Sequence, residues 1–236
     1  RDLYPRLLLI GPLDAGSLLA YFLAIRLTGV AIATFLFFMQ PVWVAVLARH
    51  FLKSRTEKVV HLSLAVALAG LAIIILPSLL SERVSLSAVG IAAGLAGGWL
   101  YAFFQLLVKS FTEQLESTTI VTVECTLDAV VILPLALVQS VGLGATLTGR
   151  DLVTAMILGL VCTALAYTLW VEGVARIPVQ HSSILGFLTP VVAPVVAWAL
   201  LGESITLAIA MGGTLIIAAG VLVMMFGGPE AELEPP

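Results

Sequence analysis

Charge is what this sequence has least of. Asp, Glu, Lys and Arg make up 11% of its 236 residues, and the formal net charge is −3. Phosphate recognition needs clustered Lys and Arg, and their lack excludes a nucleic-acid partner. Cysteine is almost as scarce. Cys125 and Cys162 both fall in apolar stretches, which reads as two small buried hydrophobes and excludes a disulfide framework or a CxxC metal site. The three histidines, His50, His61 and His181, are scattered near predicted helix ends. There is no HExxH, no GxSxG and no paired metal-ligand spacing, so neither a metal nor another cofactor is expected. A cleavable signal peptide is missing too, and the chain opens at Arg1 without methionine, so it is expected to be a piece of something longer.

What is abundant is apolar. Hydrophobic residues make up 61% of the chain and the mean hydropathy is +1.15. Lipid offers no hydrogen bonds to exposed backbone, so long apolar runs must be helices or closed-barrel strands, and these runs are too long for strands. The expected fold is all-α: a polytopic integral membrane bundle of about eight transmembrane helices. Measured against a span of about 20 residues, the runs fall at 7–27, 29–48, 58–77, 86–108, 118–139, 152–172, 181–201 and 205–226. The lipid bilayer is the first expected partner, with a homodimer left open.

Eight spans put both ends on one side, and the positive-inside rule then orients the chain. Arg1, Arg6, Arg49, Lys53, Arg55, Lys58, Lys109 and Arg176 lie on the side of the termini, while Arg26, Arg83 and Arg150 lie opposite. Both termini are therefore expected in the cytoplasm, with the cell (inner or plasma) membrane as the location. Residues 228–236, rich in Glu and Pro, read as a disordered acidic cytoplasmic tail.

The chain also partly repeats itself. Shifted by about 149 residues, Val30 to Leu52 lies over Val179 to Leu201. Phe38-Met39-Gln40-Pro41-Val42 then matches Phe187-Leu188-Thr189-Pro190-Val191, and Ala24 to Thr28 resembles Val174 to Pro178 one residue out of step. The offset covers five helices, an odd number, so equivalent helices enter the membrane from opposite faces. Such an inverted-topology repeat implies, in secondary transporters, a substrate site near the midplane about which the halves rock.

Three stretches carry a resemblance to a known family: Ala33 through Pro41 to Leu52; Ser182-Ser183 through Thr189-Pro190 to Leu200-Leu201-Gly202-Glu203; and Gly94 to Lys109 with its Gly97-Gly98-Trp99-Leu100-Tyr101 run. With them the chain resembles, over essentially its whole length, the EamA-type branch of the drug/metabolite transporter superfamily. That resemblance implies ten helices in two five-helix repeats, moving amino acids, other metabolites or drugs. The eight spans resemble family helices three to ten, with the first two absent. Residues 1–80 would then be the three remaining helices of the first repeat and 81–227 the second repeat. One departure is Lys53-Ser54-Arg55, where the second repeat has Gly202-Glu203-Ser204. The expected function is a secondary transporter for a small-molecule substrate, working by alternating access as an exporter rather than an enzyme.

Polar groups inside spans cost a few kcal/mol each at the bilayer centre, so each asks for a reason. Asp14 shares a helix face with Tyr21 seven residues on, and reads as a substrate-amine or proton site, or as a polar group buried against other helices. Glu124 and Asp128 are one turn apart and face one way, as a proton relay would require; alternatively Glu124, about two turns from the loop, reaches the interface. Together with Asp14 they are the candidate proton-coupling residues. An intramembrane enzyme using Glu124 and Asp128, or a non-transporting membrane subunit, are the other readings.

Pro41, Pro190 and Pro194 each remove an amide donor and bare a carbonyl, which kinks a helix; Gln40 and Thr189 stand beside the first two at matching repeat positions. Such kinks fit a binding site or serve packing alone. Gly90, Gly94 and Gly98 read as a close-packing stripe leading to Tyr101 and Gln105. These two, with Tyr167 and Trp170, are candidate cavity walls or interfacial anchors. The expected substrate-binding set is thus Asp14, Tyr21, Gln40, Tyr101, Gln105, Tyr167, Trp170 and Thr189. Glu172, His181 and Glu203 are expected at solvated or capping positions.

Overall fold

The protein is described by a computed structural model covering residues 3–51, 57–81, 87–143, 148–202 and 204–228. Arg1, Lys53, Arg55, Arg83, Glu203 and residues 229–236 of the expected acidic tail lie outside the described residues. Among the described residues there is no strand. The helices are α1 (Leu3–Leu7), α2 (Ile10–Thr28), α3 (Val30–Phe37), α4 (Gln40–Phe51), α5 (Lys58–Ser81), α6 (Ala88–Phe111), α7 (Ser117–Leu143), α8 (Gly149–Ile157), α9 (Ala166–Arg176), α10 (Val179–Leu185), α11 (Thr189–Leu201) and α12 (Leu207–Phe226). A π-helical stretch, Leu158–Leu165, joins α8 to α9, and a 3-10 turn, Gly186–Leu188, joins α10 to α11.

All eight expected spans are present, as Pro5–Thr28, Val30–Phe51, Lys58–Leu80, Ala88–Phe111, Ser117–Val138, Gly149–Arg176, Val179–Leu201 and Leu207–Phe226. Their outer surfaces are apolar, with Leu80, Leu200, Leu201 and Met225 well exposed, as lipid allows and water does not. Local chemistry sets the ends. Gly29 (φ 84°) and Gly202 (φ 70°) hold the left-handed backbone that ends α2 and α11, a conformation that strains any residue with a Cβ. At α8, Asp151 Oδ2 accepts from the Thr148 amide at 2.8 Å while Thr148 Oγ1 accepts from the Asp151 amide at 3.4 Å. This capping box starts the sixth span three residues earlier than hydropathy suggests.

Pro41 and Pro190 stand where a span is broken, whereas Pro194 lies inside α11 with no break in the helix. The second span breaks at Phe38–Met39 just before Gln40-Pro41, and the seventh becomes 3-10 over Gly186–Leu188 just before Thr189-Pro190. Pro41 cannot bond the Phe37 carbonyl four residues back. Gly98 packs on that carbonyl, which would lie 2.7 Å from a Cβ built there.

Two compact units divide the chain: residues 1–16 with 107–176, and residues 17–106 with 177–236. The boundaries run through α2 and α6, so each of these helices belongs to both units. In the larger unit, α5 and α12 cross at a pair of glycines, where a Cβ on Gly70 would lie 2.6 Å from the Gly212 carbonyl. Around that crossing sit Val60, Leu64, Ala67, Leu71, Phe187, Ile216 and Val223. The glycine stripe of α6 is a packing surface: Gly90 lies on Leu27 and Thr28, and Gly94 on Leu36 and Ala24. In the smaller unit α7 packs on α9 and the π-helical stretch, and Lys109 Nζ donates to the Val174 carbonyl at 2.9 Å, closing the C-terminal end of α9.

Two expectations on single residues fail. His181 is buried, not solvated, because its ring lies against Gly227, which has no side chain to exclude it. Cys162 is exposed, since the π-helical stretch that carries it turns outward along its length. Glu172 is at a helix end as expected, paired with Arg176 at 2.7 Å.

Candidate functional site

Within the smaller unit, three carboxyl groups meet. Glu124 and Asp128 lie one turn apart on α7, and Asp14 reaches them from the first turns of α2; one carboxylate oxygen from each lies within 4.8 Å of the others. Gly11 makes this possible. A Cβ at Gly11 would run into Leu127 and come 3.0 Å from the Asp128 amide nitrogen, so α2 crosses α7 almost backbone to backbone, one turn from Asp14. The Asp14 carboxyl interacts with that of Asp128 and with the Tyr167 hydroxyl. Glu124 is fully buried, and neither of its oxygens has a hydrogen-bond partner. It does not run to the interface.

The depth follows from the helical rise of 1.5 Å per residue. Asp14 stands nine residues into Pro5–Thr28, about 14 Å along the helix. Glu124 and Asp128 stand seven and eleven residues into Ser117–Val138, about 10 and 16 Å along it. In a hydrocarbon core of about 30 Å these are interior positions. Neither Glu124 oxygen has a hydrogen-bond partner among the described residues. A carboxylate at such depth is costly, and three together repel one another as well. The arrangement suits the capture of positive charge from outside the protein. Beside it on α9, Tyr167 and Trp170 stand with ring centroids 6.4 Å apart.

The remaining candidates belong to the larger unit. Tyr21, Phe37, Tyr101 and Phe104 form a continuous ring contact, with successive centroids at 4.8, 5.6 and 5.4 Å. The Tyr21 hydroxyl is 2.9 Å from Thr34 Oγ1. Gln40 and Gln105 are both buried, each with its amide oxygen lacking a hydrogen-bond partner. Thr189, the repeat counterpart of Gln40, stands apart. It is exposed and borders an open apolar groove of about 690 Å³ along Leu188, Val192, Val196 and Leu200.

Sequence reasoning singled out the three acids but left Asp14 separate from the other two. The missing signal was Gly11, whose role shows only once its neighbour Leu127, more than a hundred residues away, is known.

A model of the EamA-like transporter family matches residues 88–226. The chain belongs to that family. An uncharacterized transporter of Archaeoglobus fulgidus is 31% identical over 206 residues, which is 86% of this chain and 70% of that protein. The uncharacterized transporter YwfM of Bacillus subtilis is 25% identical over 206 residues, or 84% of this chain and 68% of that one. A crystal structure superposes with a TM-score of 0.76 at 16% identity, covering 95% of this chain and 77% of the other; that likeness shows the fold alone. As an EamA-like family member with eight apolar membrane helices, the chain is a multi-pass membrane transporter.

Proposed function

We propose that this EamA-like transporter moves a small metabolite, of amino-acid, organic-cation or drug-like character, by alternating access as an exporter. The observation that carries the proposal is the meeting of Asp14, Glu124 and Asp128 inside the bilayer. An acidic side chain at a helix centre costs about 2.5–3.5 kcal/mol on insertion scales, so three of them are retained at a penalty that a passing cation relieves. A proton, a metal ion or the ammonium group of a solute would each serve. Within the smaller unit Tyr167 and Trp170 stand beside the acids, and within the larger unit Tyr21, Tyr101, Gln40 and Gln105 offer aromatic and amide groups to a solute. Thr189 is left out, because it is exposed. The breaks before Pro41 and Pro190 let the second and seventh spans yield as the site changes access. The Lys and Arg distribution supports an orientation with both termini in the cytoplasm.

The test is solute flux into proteoliposomes, across a panel of amino acids and organic cations, with and without an imposed cation gradient. Flux driven by the gradient, with the drive lost on Asp14→Asn, is the expected result. A folded protein that moves no member of the panel under any gradient sinks the proposal.

A further inference from the structure

The Asp14 and Asp128 carboxyls face each other across the crossing of α2 and α7, and that alone is only an acidic pair. Glu124 is the second observation. Its side chain is fully buried, both its oxygens lack a hydrogen-bond partner, and one of them lies within 4.8 Å of an oxygen of each aspartate. A fully buried carboxylate normally finds several hydrogen bonds or a cation. The charged groups that act on it here are both acids, Asp14 and Asp128.

We infer that Asp14, Glu124 and Asp128 form a binding site for a hard divalent metal ion of calcium size, clasped where α2 crosses α7. This deepens the cation-coupling reading and shares its site, although binding is measurable without transport. Three arguments support it. The donors are all carboxylate oxygens, the ligands of hard cations, with no sulfur or imidazole to draw a softer metal. Three oxygens no more than 4.8 Å apart are close enough together for one ion to meet them at about the 2.3–2.6 Å of calcium–oxygen contacts, whereas magnesium demands near-ideal octahedral geometry and gives up its waters reluctantly, which suits a buried three-carboxylate clasp less. Finally, a divalent ion leaves the three carboxylates closer to neutral than a monovalent one does, and residual charge is what the bilayer interior penalises.

The experiment is equilibrium binding of ⁴⁵Ca²⁺ and, separately, ²²Na⁺ to the detergent-purified full chain. Saturable calcium binding of about one ion per chain is expected, weakened about tenfold or more by Glu124→Gln and by Asp128→Asn and unchanged by Glu172→Gln at the exposed helix end. Unchanged elution and helical circular dichroism show that each variant is folded. Absence of saturable calcium binding to the wild-type chain overturns the inference, whatever the variants do. So does binding that survives in the Asp14→Asn, Glu124→Gln, Asp128→Asn triple variant, or saturable sodium binding in place of calcium. Solute flux in chelator-treated vesicles separates the two claims: flux without calcium binding removes the metal site and leaves the transporter, while calcium binding without flux does the reverse.

Discussion

Replacing Glu124 by Leu should make the protein more stable and less active. Its carboxyl is fully buried with both oxygens unbonded, and a buried polar group without a partner costs about 1–3 kcal/mol. An apolar side chain of similar volume removes that cost, so a gain of about 1–3 kcal/mol is expected for Glu124→Leu. Glu124→Gln keeps a polar amide in the same place and should gain less. The assay is equilibrium unfolding in mixed micelles followed by helical circular dichroism, in chelator-containing buffer. Metal-free conditions matter, because an ion bound to the wild-type protein stabilises it by mass action and would hide the gain. Transport is measured in parallel and should be lost. A Glu124→Leu protein less stable than wild type by more than about 1 kcal/mol would refute the reasoning, since the carboxyl would then be holding the fold together and not merely tolerated by it.

Three further outcomes follow from the packing. Gly212→Ala places a Cβ 2.6 Å from Ile74 Cγ1 and against the Gly70 carbonyl; equilibrium unfolding should show a loss of about 1–3 kcal/mol, typical of overpacking, and an unchanged stability would mean that α5 and α12 are not locked at this crossing. Gly11→Ala drives a Cβ into Leu127, which should push α2 off α7 and reduce both calcium binding and gradient-driven flux; wild-type values for both would separate Asp14 from the other acids. Thr189→Val removes a hydroxyl from an exposed groove position, and initial rates of solute flux should stay near the wild-type value, whereas a large loss would return Thr189 to the solute pathway.

Much of the architecture was legible because the bilayer imposes it. A span needs about 20 apolar residues whatever its neighbours are, so eight runs became eight helices. Their ends moved where capping decided, as at Thr148 and Asp151. Neighbours were harder to read. Gln40 and Thr189, which the repeat aligns, both follow a helix break, yet one is buried and the other exposed, because a shared position in a repeat does not bring shared surroundings. His181 looked like a loop-edge residue until Gly227 gave its ring room. Glu124 and Asp128 were recognisable as a pair from spacing alone, since one helical turn fixes their common face. Asp14 was not, because nothing local says which helix it will meet.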